Sequence, residues 1–155
     1  MSSAIEDRLD ALGISLPAAT APAANYLPFT CHGDLIFISG QLCFGPEGLT
    51  HKGKLGVNIT LAEGQEAARL CAVNILAQAK VALDGDLERI RQIIRITGFV
   101  ACTPDFTDQH LVINGASDLL VDVLGERGRH SRAAVGMASL PLDAAVEIDA
   151  IIAAG

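Results

Sequence analysis

Two charged residues stand in stretches that otherwise read as apolar strands. Arg132 opens the small-residue run Ser131-Arg132-Ala133-Ala134-Val135-Gly136, and Glu147 lies inside Ala145-Val146-Glu147-Ile148-Asp149-Ala150-Ile151. An arginine presents a planar fork of N–H donors that matches a carboxylate in two parallel hydrogen bonds. A glutamate among aliphatics cannot be buried alone as a charge, so it must pair, titrate or face a pocket. Together the two could bind an acid and handle a proton. Spacing alone leaves two plainer alternatives open: a structural ion pair between Arg132 and Glu147, or two charges facing solvent at a strand edge.

Other catalytic signatures are missing from the 155 residues. There is no nucleophile elbow, phosphate loop, H-E-x-x-H or dinucleotide-binding glycine pattern. The four histidines (His32, His51, His110, His130) are dispersed, and no metal site or cofactor is expected from them. Cys31, Cys43, Cys71 and Cys102 form no C-x-x-C pair, which argues against zinc and dithiol chemistry and favours reduced thiols in a cytoplasmic setting. Cys71 and Cys102 read as small core residues. The formal net charge of −7 disfavours a nucleic-acid partner, since phosphate binding calls for basic surface. The tightest basic group is Arg127, Arg129 and Arg132. No signal peptide and no membrane-spanning run is read.

The elements that must position Arg132 and Glu147 follow from periodicity. Residues 3–12 suit a short helix, with Ile5, Leu9 and Leu12 on one face and Gly13 ending it. Pro17 and Pro22 make the next stretch extended, so residues 1–17 read as an N-terminal helical appendage to a single domain spanning 1–155. Residues 26–30 and 35–41 form a hairpin about His32-Gly33-Asp34. Residues 44–58 read as a surface loop with a short strand near Gly56-Val57-Asn58. Thr60-Leu61-Ala62-Glu63 is a capping box that opens a helix running to about Leu83. Ile90–Cys102 is a β-branched strand with Ile94, Ile96, Gly98 and Val100 on one face and Ile93, Arg95, Thr97 and Phe99 on the other. Asp105–Leu124 is a second helix, weakened by Gly115, and strands 132–138 and 145–153 join through Leu140-Pro141-Leu142. This order gives an α+β fold, a two-layer mixed β-sheet with two helices on one face. The other face carries Phe37, Phe99, Ile93 and Val135, too apolar to meet water, so a symmetric oligomer is expected to bury it.

Ala21-Pro22-Ala23-Ala24-Asn25-Tyr26, Ile38-Ser39-Gly40-Gln41, Gly98-Phe99-Val100, Val112-Ile113-Asn114, Ser131 to Gly136, Leu140-Pro141 and Val146 to Ile151 resemble, in order and spacing, the RidA family, also called the YjgF family. The likeness runs from about residue 18 to 153. It implies a chorismate-mutase-like fold assembled as a homotrimer with sheets inside, helices outside and sites in the clefts between subunits. It also implies hydrolytic deamination of reactive 2-imino and enamino acids to 2-keto acids and ammonia without a cofactor. Older descriptions of the family include endoribonuclease (L-PSP) and translation-inhibitor activity. A non-enzymatic trimer that binds small carboxylates is the other alternative. By position, Arg132 matches the family arginine that grips the substrate carboxylate, and Glu147 the glutamate associated with the attacking water. Tyr26, Ser39 and Asn114 match positions lining the same cleft. The chain departs from many members in carrying His130-Ser131 before the arginine, Ala134 after it, and a longer loop over 45–58, as a divergent subgroup would.

Overall fold

The computed structural model describes residues 2–22 and 24–155. Its main sheet has five strands: β1 (Phe29–His32), β2 (Leu35–Leu42), β5 (Ile90–Ala101), β6 (Ser131–Met137) and β7 (Val146–Ala154), in the order β1-β2-β7-β5-β6. A small separate hairpin joins β3 (Phe44–Gly45) to β4 (Gly48–Leu49). Three helices accompany them, α1 (Ala4–Ala11), α2 (Leu61–Ala82) and α3 (Gln109–Leu124). All pairings in the main sheet are antiparallel except β5 with β6, which run parallel because α3 carries the chain back between them. The expected α+β arrangement, with two long helices covering one face of a mixed sheet, is what the chain adopts.

The helix starts follow local chemistry. Thr60 and Glu63 close a reciprocal capping box, the Glu63 amide on Thr60 Oγ1 at 3.2 Å and the Thr60 amide on Glu63 Oε2 at 2.8 Å. Thus α2 begins where the sequence puts it. The second long helix begins four residues later than expected. Thr103-Pro104-Asp105-Phe106 instead folds into a turn, in which the Phe106 amide donates to Thr103 O at 3.2 Å and the Thr103 hydroxyl hydrogen-bonds the Asp105 carboxylate. The 44–58 segment is more structured than the expected loop. Its strand content is β3 and β4 rather than Gly56-Val57-Asn58, and buried Leu55 pins it to Ala101 and Thr103 through backbone hydrogen bonds of 2.9 and 3.1 Å.

Aliphatic side chains fill the space between sheet and helices. Ile36, Ile38, Ile96, Val100, Val146, Ile148, Ala150 and Ile152 meet Cys71, Ile75, Leu76, Ala79, Ile113, Ala116 and Leu120. A register shift in β5 between Ile93 and Arg95 corrects the expected assignment of faces. Ile93 is fully buried and pairs with buried Ile152, while Ile94 is turned outward. The irregularity changes the parity of the strand, which strict alternation cannot anticipate. The open face therefore carries Phe37, Phe99, Val135 and Ile151 around Arg95, Thr97 and Asp149, without Ile93.

The N-terminal appendage is docked on the body. Ile5 and Leu9 are buried, the Ile5 amide donates to Glu88 Oε1 at 2.9 Å, and Arg8 Nη1 reaches Val123 O at 3.2 Å. No helix among the described residues is long and apolar enough to cross a membrane.

Candidate functional site

The fold separates the two charges that the sequence brought to notice. β6 and β7 are not neighbours, because β5 lies between them. Glu147 pairs across to Phe99, which pairs on to Val135, three residues beyond Arg132. Two strand spacings across and three residues along put the Arg132 and Glu147 backbones roughly 14 Å apart. Their side chains also leave opposite faces. Arg132 points to the helix layer, while Glu147 shares the open face with Asp149 and Ile151. The structural ion pair is thereby excluded within one copy of the chain.

Arg132 is anchored on α3. Its Nη1 donates to Ser117 Oγ at 2.9 Å and its Nη2 donates to the His110 carbonyl at 3.0 Å. His110, Asn114 and Ser117 recur at i, i+4 and i+7, so they share the helix face turned toward Arg132. The His130 ring completes the group, with Nε2 2.9 Å from Ser117 Oγ and Nδ1 2.6 Å from Gly128 O. Burial holds His130 below the usual histidine range, and the Arg132 charge adds to that, against the opposing effect of the Gly128 hydrogen bond. The expected basic group dissolves on inspection. Arg127 is paired with Glu88 at 3.1 Å and Arg129 with Glu126 at 3.2 Å, whereas Arg132 has no acidic partner among the described residues.

Glu147 belongs to a second location. It lines a cavity of about 450 Å³ with Tyr26, Pro22, Gly40, Leu42, Phe44 and Leu142. A bulge in β2 between Ile38 and Gln41 creates its contact with the backbone. A Cβ on Gly40 would lie 2.1 Å from Glu147 Oε1, so only glycine leaves the carboxylate where it is. The end of β2 is held from α2, where Asn74 Nδ2 donates to Leu42 O and Phe44 O at 3.0 and 3.1 Å. At the opposite rim, the Leu140-Pro141-Leu142 corner places Leu142 and Asp143 in the left-handed region, at φ 58° and 61°. Such conformations cost of order 1–3 kcal/mol each in non-glycine residues and gather at functional sites. Partial burial raises the Glu147 pKa above the usual carboxylate range, and the neighbouring Asp149 charge raises it further.

Two of the remaining expected residues divide between these locations. Tyr26 stands half-exposed beside Glu147, and Asn114 lies on the α3 face near Arg132. Ser39 lines a separate hollow of the open face with Arg95, Thr97 and Asp149, and its hydroxyl donates to Leu27 O at 2.7 Å and so fixes the segment that presents Tyr26. Ser117 escaped the sequence reading. Its spacing from His110 and Asn114 was the available signal, but a serine in mid-helix usually faces water.

This geometry sits within a family that the whole chain matches. Residues 6–152 fit the family model for YjgF/chorismate mutase-like proteins, to which endoribonuclease activity has been ascribed. The chain belongs to this family. Protein TCP17 of Trypanosoma cruzi is 47% identical over 152 residues, covering 97% of this chain and 94% of that protein. The crystal structure of Atu1372 from Agrobacterium tumefaciens, a protein of unknown function, is 56% identical, with a TM-score of 0.93 over 98% of this chain and 93% of that one. RidA from the Antarctic bacterium Psychrobacter sp. PAMC 21119 shares the fold at 24% identity, with a TM-score of 0.60 over 88% of this chain and 94% of that one.

Proposed function

We propose that this protein hydrolyses reactive 2-imino and enamino acids to 2-keto acids and ammonia, in a cleft shared between subunits of a homotrimer. One observation carries the reading. Arg132 is held by two hydrogen bonds to α3, yet among the described residues has no carboxylate to pair with, while Arg127 and Arg129 beside it are both paired. A fixed guanidinium with donors to spare is suited to an acid brought in from outside.

Arg132, with Asn114 beside it, would bind the substrate carboxylate. Glu147 from a neighbouring copy would face the substrate across the cleft, flanked by Tyr26, whose segment Ser39 fixes. Because Glu147 and Arg132 diverge within one chain, a working site on this reading needs two copies. The chemistry needs no cofactor, since the C=N carbon is already electrophilic. An enamino acid first shifts a proton from nitrogen to carbon to become the imine; water held by Glu147 then adds to the C=N carbon, both of its protons pass in turn to the nitrogen, the C–N bond breaks, and the keto acid and ammonia remain. A carboxylate with a raised pKa is suited both to taking a proton from water and to returning it.

The test is ammonia release from freshly generated 2-iminopropanoate. Wild type should exceed the spontaneous rate, and Arg132→Ala should lose that excess. No excess in wild type across several imino acids would sink the reading. Thermal stabilisation by pyruvate without turnover would instead identify a carboxylate-binding protein.

A further inference from the structure

The hydrogen bonds behind Arg132 have a direction that can be worked out atom by atom. The Gly128 carbonyl can only accept, so the His130 nitrogen 2.6 Å away, Nδ1, carries a hydrogen. In the neutral ring Nε2 is then an acceptor, and the Ser117 hydroxyl 2.9 Å away donates to it. That leaves a Ser117 lone pair for Arg132 Nη1, also at 2.9 Å. Donors and acceptors match along the whole path from Arg132 through Ser117 and His130 to Gly128.

We propose that His130, acting through Ser117, is a positioning residue for Arg132, and that binding of a carboxylate at Arg132 is coupled to uptake of a proton at His130. The proposal rests on the reading of Arg132 as a carboxylate clamp. With His130 neutral, Ser117 is oriented by the ring and the guanidinium is pinned. A proton on Nε2 turns that atom into a donor and sets a second positive charge behind the guanidinium, where burial and then the Arg132 charge oppose it. A carboxylate on the outer edge of Arg132 offsets that opposition. By reciprocity, whatever the carboxylate does for the proton, the proton does for the carboxylate. Affinity therefore rises as pH falls through the titration of His130.

Other charged groups lie on the elements packed around the ring. Asp118 and Asp122 are exposed on α3, the His110 ring is exposed at its start, and Glu126 is paired with Arg129 in the turn that follows. On β6 the ring meets Arg132, whose charge acts on it directly.

The experiment is calorimetric titration of the full chain with pyruvate from about pH 8 to about pH 4.5, reaching below the usual histidine range. It is done in a Glu147→Gln background, so that the carboxylate of Glu147 does not titrate as well. In that background, affinity should strengthen about three- to tenfold on the way down, with proton uptake seen by repeating the titration in a second buffer. Adding His130→Gln, whose amide oxygen can still accept from Ser117, should keep the affinity at pH 8 within about twofold and flatten the profile. Adding Ser117→Ala should weaken binding about tenfold at every pH, as loss of a hydrogen bond to a charged group does. A flat profile with intact binding, or a profile unchanged by His130→Gln, overturns the coupling and leaves the clamp standing. No pyruvate binding by wild type at any pH overturns both.

Discussion

Glu147 makes a prediction that needs no substrate. Its pKa in the folded chain lies above that of the unfolded chain, because burial and then Asp149 disfavour its charge. The native state therefore holds the proton more tightly. Stability contributed at this residue is present below the ordinary carboxylate range and is lost as pH rises through the folded pKa. Glu147→Gln should melt a few degrees higher than wild type near neutral pH, with the difference closing as pH falls toward about 4. Thermal denaturation across that range checks it, and a variant less stable than wild type at neutral pH would show Glu147 to be stabilised by its surroundings. That Glu147 is a special residue could be read from one acid flanked by Val146 and Ile148. That Ser117 and His130 stand behind Arg132 could not, because the fold alone brings positions 117, 130 and 132 to one point.

Elements were legible where their chemistry is local and less so where a neighbour decides. The Thr60-Glu63 box fixes the start of α2, and a turn beginning at Thr103 delays α3 to Gln109. The parity of β5 was not legible, since a register shift depends on the strand beside it. Gly115 read as a weak point in α3 with a neighbouring polar residue. In the fold its backbone packs directly against that of α2. A Cβ there would lie 2.1 Å from the Gln65 carbonyl oxygen, a backbone atom that cannot turn aside. Gly115→Ala gains helix propensity yet must push α3 away from α2, so it should destabilise by about 1–3 kcal/mol and lower the melting temperature accordingly. Should the variant melt at or above the wild-type temperature, helix propensity rather than close packing governs this position. Ser117 lies half a turn further on, so weaker carboxylate binding should accompany the loss.

For the whole molecule, the open sheet face and the divergence of Arg132 from Glu147 lead to one expectation. Phe37 and Val135 are each 38% exposed and Ile94 is 41% exposed, on a surface that a second copy would cover. If each site takes Arg132 from one subunit and Glu147 from the next, two inactive variants can repair each other. Co-expressing Arg132→Ala and Glu147→Gln in equal amounts should restore about a quarter of wild-type turnover, since half the clefts receive an intact arginine and half of those an intact glutamate in a cyclic assembly. Each variant alone should remain inactive. Absence of repair in mixed oligomers, verified by differential tagging, would show that Arg132 and Glu147 do not serve one shared site. The apolar face is what raises the expectation of an oligomer from the sequence. The placement of the two charges on opposite faces was not, because it depends on β5 lying between their strands.

The bulge at Gly40 also leaves a mark on descent. Glycine at 40 makes room for a glutamate oxygen 107 positions further along the chain, and serves no turn or helix end. A lineage that gives up Glu147 frees position 40 for alanine or serine, and one that fills position 40 first must move the carboxylate away from its present place. The two should therefore be inherited as a pair.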